Sequence, residues 1–311
     1  MKNLLLITLL FSLNLLQARD VVDDTGICKI NWTQGFITCI GESAEGQSSF
    51  GAKLSAKILA QRNILEVIKG VRIDSLVTIK DGMFSSDVIR SRVSGMIRGA
   101  QIISNKFNAK RGSSEATAKI FMGKDLLSAL LSDPTKLSWN EKIEKFWSDI
   151  SFITTANAST YSYKDKELLE KLMYDFRSRG DKKSSQFIAE ILEDISKNSY
   201  SGIMIDVSGI AKFEKALIVK LVDEGGDEIY PSNILSDDVL FQKNTSVGYM
   251  YGFEDARKDK RVFDTPLEIK VKSIYANRRS SLVLTKDQIQ SIKSLSPEVL
   301  SSAKIILVLG D

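Results

Sequence analysis

Changes in the period of apolar positions mark the elements of this chain. Over residues 52–69, Leu54, Ala56, Ile58, Leu59, Ala60, Ile64, Leu65, Val67 and Ile68 recur at helical spacing. Ala52, Ala56 and Ala60 repeat at i+4, which lets a helix lie close against a sheet. Gly70 ends this helix. Val71, Ile73, Val77 and Ile79 then alternate with Arg72, Asp74, Thr78 and Lys80, predicting a strand with one buried face. Phe84, Val88, Ile89, Val93 and Met96 return to helical spacing. Residues 97–107 and 115–123 read as two more strands across a polar turn, the second with Ala116, Ala118, Ile120 and Met122 on one face.

Upstream, CKINWTQGFITC places apolar residues on both sides of Gln34-Gly35, the pattern of a β-hairpin. Residues 43–49 form a polar connector to the helix. The order β-β-α-β-α-β-β predicts an α+β domain over residues 19–123, with helices covering a mainly antiparallel sheet.

Residues 124–200 are mainly helical in texture. Ser138-Trp139-Asn140-Glu141 has the form of a capping box and leads into a stripe of Ile143, Phe146, Trp147 and Ile150. Residues 152–163 read as a strand or an extended link. Leu168, Leu169, Leu172, Met173 and Phe176 make a second stripe, and Phe187, Ile188, Ile191, Leu192 and Ile195 a third. Joined at Arg179-Gly180-Asp181, these two predict a helical hairpin that packs on the domains or binds a partner. Residues 201–311 predict a β-rich α+β domain. Its strands centre on 203–207, 217–221, 267–271, 282–284 and 305–309, with a helix over 286–295 and a turn at Gly225-Gly226. The charged run over 255–261 reads as a solvated helix end or loop.

The N-terminal pattern adds a compartment. Lys2 precedes an apolar run from Leu4 to Leu16, the form of a signal peptide over residues 1–18; the alternative is a retained anchor. Leu16 and Ala18 then occupy positions −3 and −1 of a cleavage site, leaving Arg19 or Asp20 as the mature start. No later stretch has the ~20 apolar residues of a membrane span. An oxidising compartment makes Cys28 and Cys39 a candidate structural disulfide. An even-length loop centred between Thr33 and Gln34 sets the two cysteines directly opposite one another, within bonding range. A three-residue loop breaks that register and leaves two separate thiols.

Composition narrows the chemistry further. The net charge is +4, or +3 without Lys2, too small to imply nucleic acid or an anionic membrane as partner. The chain has no histidine, which excludes Ser-His-Asp and Cys-His catalysis and removes the commonest metal ligand. No dinucleotide or phosphate-loop fingerprint occurs. Ser301-Ser302-Ala303-Lys304 has the Ser-x-x-Lys form, but it runs straight into a strand-like segment and no Lys-Thr-Gly accompanies it. Asp237 and Asp238 lack the alternating oxygen spacing of a calcium loop. Sequons at Asn31, Asn157 and Asn244 are short motifs that recur by chance. The expectation is a non-enzymatic protein with no cofactor, metal or catalytic residues.

Three segments carry a resemblance: Asn31-Trp32-Thr33 through Gly41, AQRNILEVIKGVRIDS from Ala60 to Ser75, and Gly95-Met96-Ile97-Arg98-Gly99-Ala100. They resemble the domain shared by small bacterial envelope lipoproteins and flagellar accessory proteins of the FlgP and FlgT type. The segments 202–209, 222–230, 248–251 and 261–270 are similar to a region that often follows this domain in longer periplasmic members. The resemblance implies a periplasmic, outer-membrane-associated scaffold or assembly factor of the flagellar motor, needed for motility. A FlgQ-like companion of a disk-forming outer-membrane lipoprotein is the nearest type. The alternative is a general envelope protein that binds an outer-membrane partner or peptidoglycan. Unlike the lipoprotein members, this chain has no lipobox cysteine, and the helical insert over 124–200 lies outside the family pattern.

Overall fold

The computed structural model describes residues 19–131, 163–197, 200–232, 234–263 and 265–310. The export segment, the Ser138 capping box with its stripe, the link over 152–162 and the Asn157 sequon lie outside these residues. The α+β class holds: helices cover an antiparallel sheet at one end, and two further sheets form the other.

The N-terminal sheet has five strands: β1 (Val22–Asp24), β2 (Cys28–Asn31), β3 (Phe36–Glu42), β4 (Gln101–Asn108) and β5 (Ser113–Phe121). Their order is β1-β2-β3-β5-β4, with every neighbouring pair antiparallel. Helix α1 (Ser49–Lys69) lies across β3 and β5, starting from Ser48, whose side chain accepts the Gly51 N–H. Its buried row is Ala52, Ala56, Ala60, Ile64 and Ile68, as the alanine spacing predicts. Opposite it stand Ile37, Cys39, Ala116, Ala118 and Ile120, all buried. The approach is close enough that a Cβ on Gly41 would sit 2.1 Å from the Ala60 nitrogen.

The strand expected over 71–80 does not form. Asp74 Oδ1 accepts the N–H groups of Leu76 and Val77 at 2.8 and 3.0 Å, which folds the segment back on itself. Its remaining extended residues bond across to the second unit: Leu217 N–H donates to Arg72 O and Ile218 N–H to Ile73 O. The alternation therefore reports an extended segment between two units. Thr78 and Asp81 then form a reciprocal capping box that starts α2 (Ile79–Ser85). Ser86 breaks the chain before α3 (Asp87–Arg98), so one expected helix is two. Because α3 runs to Arg98, β4 begins at Gln101 rather than at 97. The order is thus β-β-β-α-α-α-β-β.

After β5, a π-helical turn (Met122–Leu127) and α4 (Ser128–Leu131) carry the chain off the sheet. The helical hairpin forms as α5 (Tyr163–Ser178) and α6 (Lys182–Lys197), packed on each other. Gly180 takes the positive φ of the turn, and Asp181 accepts the Ser184 N–H at 3.1 Å to start α6.

The C-terminal unit contains a four-stranded sheet in the order β10-β6-β13-β9, parallel throughout. Its strands are β6 (Ile203–Asp206), β9 (Gly248–Tyr251), β10 (Leu267–Lys270) and β13 (Ile305–Leu309). A second sheet, β11-β12-β7-β8, comprises β7 (Lys220–Val222), β8 (Glu228–Tyr230), β11 (Ile274–Tyr275) and β12 (Arg278–Val283). The Gly225-Gly226 turn joins β7 to β8, as expected. Helices α7 (Asp237–Lys243), α8 (Phe253–Lys258), α9 (Lys286–Lys293) and α10 (Pro297–Ser301) connect the strands. Strand β6 is buried at all four positions, and Ile305 to Val308 of β13 likewise, the mark of strands covered on both faces.

Gly41→Ala is expected to lower stability by about 3 kcal/mol, because a methyl group there collides with the α1 backbone. A fall in the urea midpoint at unchanged slope is the readout. An unchanged midpoint would show that α1 does not lie this close to β3.

Candidate functional site

Strands β2 and β3 pair Cys28 with Cys39 and Asn31 with Phe36 across a four-residue loop, the even register that the cysteine spacing requires. The two cysteines are joined in a disulfide. Both are buried beneath α1, 4% and 1% exposed, with the Cys28 sulfur 3.6 Å from the Asn63 carbonyl. A bond placed there braces the sheet and offers no open thiol.

The bridge stands immediately before the loop that joins the two units. Trp32, 4% exposed, meets the Tyr249 ring edge-on with centroids 5.5 Å apart. The Thr33 hydroxyl accepts the Val21 N–H at 2.8 Å and donates to Tyr249 O at 2.9 Å, linking the residue before β1, the hairpin loop and β9. Gly35, at φ +69°, lies against Asn244, where any side chain would clash. Beside it, Gly123 N–H donates to Asn244 Oδ1 at 3.1 Å, and a Cβ on Gly123 would sit 1.9 Å from Phe241 O. Gly123 therefore permits a close backbone approach to α7, and Gly35 makes room for the Asn244 side chain, where larger residues would clash.

A cleft of about 670 Å³ opens alongside this joint. One wall comes from β1, β2 and the 70–78 segment, through Asp23, Trp32, Arg72 and Thr78. The other comes from the carboxyl ends of the parallel strands β6, β9 and β13, through Val207, Ser208, Tyr251, Leu309 and Gly310, together with Phe213, Glu214 and Lys215. Ligands of parallel α/β sheets bind at that edge, so this is the candidate site.

Its charges are matched across the cleft. Asp23 Oδ1 accepts from Lys215 Nζ at 2.8 Å, and Asp23 Oδ2 from Trp32 Nε1 at 2.7 Å. Arg72 Nε lies 3.1 Å from Glu214 Oε2, and Glu214 also pairs with Arg279. Deeper in the joint, Lys220 is 3.0 Å from Glu228 and 4.0 Å from Asp74, with side chains only 11–13% exposed. Lys220, nearly buried between two carboxylates, holds position strongly, since removing its partners strands a charge. The cleft can offer hydrogen bonds and an apolar wall, but it carries little net field.

Below the cleft a polar layer is closed on itself. Tyr249 Oη donates to Ala216 O at 2.6 Å and accepts the Ala216 N–H at 3.0 Å. Tyr230 Oη donates to Ser246 O at 2.5 Å. Burial pushes both phenols well above the ordinary tyrosine range, so they remain protonated donors. Arg261 donates to Lys243 O at 2.8 Å and caps the C-terminal end of α7; desolvation pulls its pKa down. The run over 255–261 thus ends in a structural arginine, not wholly in solvated charge. At the carboxyl end of β6, burial raises the Asp206 pKa, but the Ser208 hydroxyl and N–H at 2.6 and 3.0 Å and the Lys270 ammonium outweigh it. The net shift is downward.

The other residues singled out by sequence fall elsewhere. Ser301 ends α10, and Lys304 Nζ is 2.8 Å from Glu298, a surface ion pair. Asp237 and Asp238 occupy the first turn of α7 behind the Ser236 cap, where the helix dipole favours them. Asn31 is buried and donates to Asp20, whereas Asn244 sits at positive φ in the joint. Sequence reading did not bring the site together: Trp32, Arg72 and Tyr249 stood out only within the segments of the resemblance and Asp23, Glu214 and Lys215 not at all, because partners such as Thr33 and Tyr249 lie 216 residues apart.

Three expectations follow from this geometry. Replacing both Cys28 and Cys39 by serine is expected to cost about 2–3 kcal/mol of stability. Amide exchange should rise first in the hairpin loop, and exchange unchanged there would separate the disulfide from the joint. Tyr249→Phe leaves the Ala216 peptide without its partner and is expected to cost about 2 kcal/mol, read by thermal melting; an unchanged midpoint would contradict it. The depressed Asp206 pKa stabilises fully above the unfolded value of 3.8 and is lost as pH falls through the folded value. Asp206→Asn should therefore lower the melting temperature near neutrality and flatten its decline in acid, and a decline as steep as the parent's would refute this.

Comparison with known proteins bears on one part of the chain. Residues 202–311, the C-terminal unit and about a third of the chain, match the family described as the second domain of Treponema pallidum Tp0624. No curated protein matches the chain. The C-terminal unit is thus similar to a domain that follows another in its parent protein, the same position it holds here.

Proposed function

We propose that this protein is a non-enzymatic scaffold or assembly factor of the bacterial cell envelope, acting in the periplasm by protein–protein contact, and that the assembly it serves is the flagellar motor. The observation that carries this reading is the joint. The polar and charged groups at the mouth of the cleft are engaged with one another, fixing two units as one body. That arrangement suits a part that transmits position. The residues behind the flagellar resemblance support a structural role: Trp32 fills the joint, Gly41 admits α1, and Gly70 and Gly99 close α1 and α3. The apolar N-terminal segment and the disulfide support an oxidising compartment. Among the described residues no helix is long and apolar enough to cross a membrane.

Deleting the gene is expected to reduce motility and to remove envelope density around the motor in electron cryotomograms. Intact motors and normal swimming would overturn the flagellar reading. Recovery of outer-membrane or cell-wall components alone after in-cell crosslinking would then favour a general envelope role.

A further inference from the structure

The outward face of α1 differs from what covering a sheet requires. Directly opposite its buried alanine row runs a second row at i+4 spacing: Phe50, Leu54 and Ile58, which are 80%, 46% and 55% exposed. The row spans about 12 Å at the α-helical rise. Lys53 and Lys57 stand exposed beside it, and Arg62 continues the row itself. The only acidic residue of α1 is Glu66, near its far end, and Lys69 pairs with it at 2.9 Å. Single exposed apolar residues are ordinary, but a continuous apolar crest flanked by cations is not.

The charge around this crest is segregated. From Ser49 to Arg98, the segment holding α1 to α3, nine Lys and Arg face four Asp and Glu, an excess of five. The whole chain has a net charge of +4, so the remainder is close to neutral. The small overall charge, which by itself points to no anionic membrane, conceals a basic helical layer.

We propose that the outward face of α1 docks on an anionic lipid bilayer, with Phe50, Leu54 and Ile58 entering the headgroup–acyl boundary and Lys53, Lys57 and Arg62 meeting lipid phosphates. The helix crest is convex, and a soft interface accepts such a shape. Lysine stems beside an apolar row extend past it to the phosphate level. The positive layer attracts anionic headgroups and repels a second copy of itself, which excludes self-association through this face. Three apolar side chains give a weak, reversible attachment suited to holding a soluble body at a membrane surface. This goes beyond the proposed scaffold role and does not rest on a flagellar partner.

The test uses the full mature chain with vesicles of mixed phosphatidylethanolamine and phosphatidylglycerol, and with vesicles of phosphatidylcholine alone. Co-sedimentation is expected to be about tenfold greater on the anionic vesicles and to fall as salt is raised. The triple variant Phe50→Ser, Leu54→Ser, Ile58→Ser and the pair Lys53→Glu, Lys57→Glu should each lose most of this binding with thermal midpoints unchanged, since all five side chains are exposed. No binding to anionic vesicles, equal binding to both kinds, or binding that survives both variants would overturn the proposal. So would a photo-crosslinker at residue 54 that captures an acidic protein while vesicles are left unbound. A motility defect on gene deletion is independent of all these outcomes, so the two readings fail separately.

Discussion

The structure depends on the insertion of the β2–β3 loop into the second unit. Trp32 and Thr33 leave the N-terminal sheet and engage β9 through a ring contact and a backbone hydrogen bond. Burial of an aromatic ring of this size dominates a small interface, and the Thr33 hydroxyl makes the contact directional by bonding to both units at once. The loop can be aimed only if its strands hold register. A slip of one residue would turn Trp32 to the opposite face of the sheet. The disulfide, three residue steps before Asn31, prevents that slip by tying Cys28 to its partner. A covalent bond in one unit thus controls how the other is held.

Around this contact the charges form a second, electrostatic layer. Each pair joins a group from the first unit to one from the second: Asp23 to Lys215, Arg72 to Glu214, Asp74 to Lys220. Ion pairs of this kind add little net stability but penalise any misaligned docking, because a displaced unit leaves several charges half-buried and unmatched. The joint is therefore selective as well as tight. That selectivity accounts for a cleft rich in ionisable groups that carries little field.

Much of the N-terminal unit was legible because its signals are local. The even loop between Cys28 and Cys39, the i+4 alanines of α1 and the alternation of β5 are each decided within a few residues. The segment after Gly70 misled for a physical reason. Alternation reports an extended backbone with two unlike sides, but not which partner lies beside it, and here the partner is 217–218 rather than a neighbouring strand. The Asp74 turn and the Thr78–Asp81 capping box were present in the sequence as competing short-range signals. The cleft was not legible, since its pairs join residues as far apart as Asp23 and Lys215, 192 positions along the chain. The parallel pairing of the C-terminal sheet was hidden likewise, because a strand such as β13, buried on both faces, shows a continuous apolar run without a period.

The position of β13 has a consequence for how the protein comes into being. It is the last strand among the described residues, yet it lies inside its sheet, between β6 and β9. Until residues 305–309 emerge from synthesis, β9 has no neighbour in that sheet and β6 has only β10. The C-terminal unit therefore cannot close progressively as the chain lengthens. It must wait for β13 and then assemble from distant segments, with the slow onset of non-local pairing. During that wait Tyr249 is not yet fixed in a sheet, so the tryptophan loop has nothing rigid to grip. The grip of the first unit on the second is consequently a late event, since Tyr249 is fixed in a sheet only once β13 has paired with β9.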